Sequence, residues 1–80
     1  MSPIETLQAA FRTAIGAPPE ADFESFAYGQ TGGWDSVAHM ALVSEIEGAF
    51  DIMMDTDDVI AMSSFQEAKR ILGKHGIAFA

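Results

Sequence analysis

Eighty residues, about half of them apolar, with no cysteine and a net charge of -8, describe one small folded domain. The missing cysteines exclude a disulfide framework and a thiolate metal site. Twelve acids against four bases argue against nucleic acid and anionic membrane surfaces as partners, since like charges repel.

The first helix is predicted from Ser2-Pro3-Ile4-Glu5. Ser2 can cap, Pro3 suits the first helical position, and Glu5 completes a capping box. Ile4, Leu7, Phe11, Ala14 and Ile15 then share one face at helical spacing, and Gly16 with Pro18-Pro19 stops the helix. Residues 17–35 carry neither a helical nor a strand period. A loop this long in a small domain is expected to be functional or anchored. Phe23, Phe26 and Tyr28 are candidate anchors into the core, and Gly29, Gly32 and Gly33 permit sharp turns.

A second helix is predicted from Ser36 to Phe50, with Asp35 as its N-cap. At 100° per residue, Met40, Leu42, Val43, Ile46, Ala49 and Phe50 fall on one broad apolar face. Val37, Ala41, Ser44 and Gly48 fall opposite, as a smooth uncharged stripe open to solvent and to a partner. An acidic connector from Asp51 to Asp58 follows, then a short helix from Thr56 or Asp57 to Ala61. The last helix starts at Ser63 or Ser64, with Ser64 and Glu67 as a second capping box. Phe65, Ala68, Ile71 and Leu72 face inward; Lys69, Arg70 and Lys74 lie in the later turns, where cations suit the helix dipole. Gly76 is the expected stop. The predicted fold is all-α: a single domain over 1–80, a small four-helix bundle of three main helices and one short one, with a long loop between the first two.

Catalytic chemistry finds little support. Ser36 and His39 lie three apart on one helix, but a serine nucleophile needs a base, a group orienting that base, and an oxyanion site. No catalytic residue is therefore expected, and His39 is read as a packing or partner-contact residue. Asp51, Asp55, Asp57 and Asp58 are dense, yet they lack calcium-loop spacing and are read as solvated capping acids. His39 and His75 give no zinc signature, so no metal is expected. The N-terminus shows no charged-then-apolar leader and no run reaches a membrane span, so a cytoplasmic protein without membrane insertion is expected. Ser36 itself is the informative residue. A hydroxyl at a loop-to-helix junction is exposed beside unpaired backbone N–H groups, where a phosphate ester is best tolerated.

Residues 33–72 resemble the heart of an acyl carrier protein. The likeness rests on Asp35-Ser36-Val37, Leu42-Val43, Ile46-Glu47, Phe50-Asp51, the acidic connector, Ser63-Ser64-Phe65 and Ala68. The first helix and long loop agree in length, so it covers nearly the whole chain. The resemblance implies a covalent 4'-phosphopantetheine on Ser36, delivered from coenzyme A by a phosphopantetheinyl transferase, with Asp35 in a supporting role. It implies a non-enzymatic monomer that holds acyl or aminoacyl groups as thioesters for fatty acid or polyketide biosynthesis. A loading ligase and downstream transferases are the implied partners.

This chain departs from the family pattern in two ways. Position 37 is Val where Leu is usual, and the second helix keeps only Glu45 and Glu47 where carriers of ordinary fatty acid synthesis place several carboxylates. A specialised pathway is therefore expected, with partners reading Trp34, Val37, Ala41, Ser44, Glu45, Glu47 and Gly48. Trp34 is either part of that contact or part of the core. Met40, Ile46, Val59, Met62 and Ala68 either line an acyl pocket or pack as plain core. The alternative function is an unmodified interaction module using the same outer face of the second helix.

Overall fold

The computed structural model describes residues 2–18 and 20–79. It is a compact all-α fold in which α1 (Pro3–Ile15), α2 (Ser36–Phe50), α3 (Thr56–Ala61) and α4 (Phe65–Lys74) enclose one core. A single 3₁₀ turn, Phe23–Ser25, lies in the long loop. Pro19, expected to help end α1, lies outside the described residues. No helix among those described is long and apolar enough to cross a membrane.

The local signals set the ends of the helices. The Ser2 hydroxyl accepts from Glu5 N–H while the Glu5 carboxylate takes the Ser2 N–H, closing the expected capping box. Gly16 ends α1 in the left-handed region at φ 72°, donating its N–H to the Arg12 carbonyl. Asp35 caps α2 through Oδ1 and the Ala38 N–H at 2.9 Å, and Asp55 caps α3 in the same way. The second capping box forms only in half. Ser64 Oγ accepts from Glu67 N–H, but the Glu67 carboxylate turns to Arg70 rather than back to Ser64.

α1 packs chiefly on α2, burying Leu7, Ala10, Phe11 and Ile15 with Ile4 and Ala14 half-buried beside them. α4 buries the four residues expected, Phe65, Ala68, Ile71 and Leu72. Each such aliphatic or aromatic side chain withdrawn from water is worth about 1.5–3 kcal/mol. Phe11 is the hub. Its ring lies edge-on to Trp34 at 5.2 Å and to Phe65 at 5.0 Å, and tilted to Phe26 at 6.1 Å.

The face of α2 needs correction. Leu42, Val43 and Ile46 are buried, but Met40 is 59% exposed and Ala49 is also exposed. The inner seam runs through His39, Leu42, Val43, Ile46 and Phe50: four residues hold the places expected of them, while His39 stands in for Met40 and Ala49 drops out. His39 takes the inward place because Trp34 and α3 satisfy its ring nitrogens, as described below. Hydropathy assigns that place to the neighbouring methionine.

The acidic connector is not wholly solvated. Asp58 is only 3% exposed and holds Lys74 Nζ at 2.8 Å and His75 Nε2 at 3.0 Å, joining α3 to the end of α4. Hydrogen bonds from Lys74, then from His75, hold its carboxyl below the usual aspartate range against the opposing cost of burial. A carboxylate whose folded pKa is depressed stabilises the fold above its unfolded pKa, and loses that contribution as pH falls through the folded value. The melting temperature of the wild-type protein should therefore exceed that of Asp58→Asn at neutral pH. The gap should close in acid, below about pH 4. A gap that persists unchanged at low pH would show that the carboxylate charge is not what joins the two helices.

Candidate functional site

The loop before α2 is anchored, not loose. Phe23 and Phe26 are buried, and Lys69 on α4 pairs with Glu24 at 2.8 Å. Backbone bonds then stitch the loop to the start of α4: Tyr28 N–H donates to the Ser63 carbonyl and Phe65 N–H to that of Phe26, around an isolated Ala27–Ser64 bridge. Within the loop, Ala27 N–H donates to Thr31 Oγ1, Gly29 N–H to the Trp34 carbonyl, and Trp34 N–H to the Thr31 carbonyl. Gly33 has φ 87°, and a Cβ placed there would stand 2.5 Å from the Ile15 carbonyl oxygen. Only glycine lets the chain pass so near the end of α1.

Trp34 follows at once and is 2% exposed. It packs as a core residue, wedged against Phe11. Its indole N–H donates to His39 Nδ1 at 2.9 Å, with the two rings stacked. On the far side His39 Nε2 lies 2.8 Å from the Val59 carbonyl of α3. An indole N–H can only donate, so Nδ1 is the acceptor and Nε2 carries the proton. Both nitrogens are thereby committed, which removes His39 as a base for Ser36.

Between buried Trp34 and buried Leu42 the chain surfaces. Asp35, Ser36, Val37, Met40 and Ala41 are exposed, Val37 by 79%. Ser36 is the first residue of α2, and the cap is carried by Asp35, not by Ser36. First-turn N–H groups have no intrahelical acceptor, and the helix dipole favours negative charge there. Ser44, Glu45 and Gly48 continue the outer face, so the stripe Val37, Ala41, Ser44 and Gly48 is open as expected. Glu47 is less exposed than these residues. It is half-buried, and its Oε2 accepts the Met54 N–H at 2.8 Å, tying the connector to α2.

One turn beyond Ser36, a pocket of about 220 Å³ opens between the loop, α2 and α3. Tyr28, His39, Val59, Ile60, Met62 and Ser63 line it. Of the five residues read as either pocket lining or plain core, Val59 and Met62 line it. Met40 instead faces solvent, and Ile46 and Ala68 are sealed in the core. The part played by Tyr28 and His39 was hidden in the sequence, because the loop brings Tyr28 edge-on to the imidazole at 5.2 Å. Among the described residues no group of three or more His, Cys, Asp or Glu side chains is placed to hold a metal ion. Asp58 and Asp55 of the acidic run are spent on pairing and capping.

In comparisons with known proteins, no family model matches the chain, and neither the curated proteins nor the solved structures give a significant match.

Proposed function

We propose that the protein is a carrier that holds acyl or aminoacyl groups on a 4'-phosphopantetheine arm at Ser36 and presents them to partner enzymes in a specialised pathway. The observation that carries this reading is an exposed Ser36 at the first position of a 15-residue helix, on a base fixed by buried Trp34 and the Asp35 cap. The residues fit such a group: the hydroxyl is accessible, and the first-turn N–H groups suit a phosphodiester. The arm would supply a thiol to a chain that has none, carrying cargo as a thioester.

In the transfer reaction the Ser36 oxygen would attack the pantetheine-side phosphorus of coenzyme A, forming the phosphodiester as the phosphoanhydride bond breaks and adenosine 3',5'-bisphosphate leaves. The Ser36 proton would pass to a base on the transferase, since both nitrogens of His39 are occupied. The domain is then a substrate and a platform, not an enzyme, and works in the cytoplasm beside its loading ligase. Partners would meet Val37, Ala41, Ser44, Glu45 and Gly48, a face with little charge on which shape and apolar contact decide the fit.

Incubation with a broad-specificity phosphopantetheinyl transferase, coenzyme A and Mg²⁺ should add the mass of one phosphopantetheine to the intact protein. An unchanged mass, with a control carrier modified in the same tube, removes the reading and leaves the unmodified interaction module in its place.

A further inference from the structure

α3 is an unusual wall for a pocket. Of its six residues only Asp58 is buried, while Ile60 is 75% exposed and Val59 and Ala61 are half-buried. Met54 and Met62, which flank the helix, are buried in the core, and Val59 and Ala61 pack half-buried against it, but no apolar side chain of the helix itself is fully withdrawn from water. Two polar links add to this hold. Asp58 is pinned to Lys74 and His75 of α4, and the Val59 carbonyl is bonded to His39 of α2. Val59 and Ile60 are also the residues that α3 contributes to the pocket.

We infer that α3 is a flap latched by His39, and that protonation of this histidine releases the latch and loosens the pocket wall. The Trp34 indole, the His39 ring and the Val59 carbonyl form a chain with spacings of 2.9 and 2.8 Å. A second proton on the imidazole has to go on Nδ1, where it meets the indole N–H head-on. Trp34 is buried and wedged against Phe11, so the half-buried imidazole is the partner that moves. Displacing Nδ1 displaces Nε2 on the same rigid ring. The Val59 carbonyl then either follows the ring away from its present position or loses the bond.

The groups around the two links respond in opposite senses. His39 faces Trp34 and Tyr28 from the loop and the Val59 backbone from α3; on its own helix the Asp35 carboxylate is occupied by the Ala38 N–H. Among the described residues His39 has no carboxylate partner to welcome a second proton. His75, by contrast, lies against Asp58, whose other partner is Lys74, and protonation there tightens the pin. Since Asp58 is held below the usual aspartate range, it stays ionised in mildly acid solution. Protonation of the two imidazoles therefore frees one edge of α3 and fastens the other, which makes a hinge.

The test is amide hydrogen exchange on the whole protein, expressed as protection factors so that intrinsic rates cancel, together with emission from Trp34, the one tryptophan in the chain. Between about pH 8 and pH 5, protection of the Val59 and Met62 amides should fall roughly tenfold relative to α1 amides, and Trp34 emission should change in step. His39→Gln supplies one acceptor and one donor without titrating, and should abolish both responses. His75→Gln should keep them. An α3 that retains its protection in acid overturns the latch. An acid response that survives His39→Gln, or vanishes in His75→Gln, also overturns it by moving the switch elsewhere. These outcomes do not depend on what Ser36 carries.

Discussion

Phe11→Ala should leave the domain largely unfolded or close to it at room temperature. The ring is fully buried, and Phe26, Trp34 and Phe65 all pack on it, so α1, the long loop and α4 lose a shared contact together. Truncating such a ring costs about 3–5 kcal/mol in transfer and cavity terms. Small domains have a total stability of about 5–15 kcal/mol, and one of this size belongs near the lower end. Urea denaturation followed by circular dichroism measures the effect. Phe11→Leu, which keeps most of the volume, should cost about 1–1.5 kcal/mol. If alanine is tolerated as well as leucine, the aromatic cluster does not centre on this ring.

Ser36→Ala should abolish the mass gain from the transferase completely and leave the fold intact. Two observations make the separation clean. The side chain is exposed, and the helix cap belongs to its neighbour. The urea midpoint should correspond to a change within about 0.5 kcal/mol. Asp35→Ala is the counterpart: it removes the Ala38 cap at 2.9 Å and should cost about 1 kcal/mol. Phosphopantetheine found on Ser36→Ala would place the attachment at another hydroxyl, and a large stability loss there would mean that Ser36 is structural.

Much of this fold is legible along the chain because its signals are local. Caps act over three residues, so Ser2, Asp35 and Ser64 mark the helix starts, and the period of α4 picks out its four buried residues. What stays hidden depends on partners distant in sequence. His39 reads as either a packing or a partner-contact residue until Val59, twenty residues on, accepts a hydrogen bond from its ring. Asp58 reads as a solvated acid until Lys74 and His75 close over it. Glu47 looks free for a partner until the connector folds back and donates the Met54 N–H. Each is a polar residue held by a hydrogen bond from outside its own helix, which hydropathy and period do not encode. The position of Ser36 was legible for the opposite reason: a loop-to-helix junction is a local event.

The near-contact between position 33 and the Ile15 carbonyl has an effect on which changes the chain can accept. Every L-amino acid other than glycine carries the atom that collides there, and the backbone twist at φ 87° penalises it again. Gly29 shares the twist, but open space surrounds it. Two glycines four residues apart thus differ sharply in how freely they can drift. Position 33 is nearly immutable, and with it the angle at which the Ser36 end of α2 leaves the body of the protein.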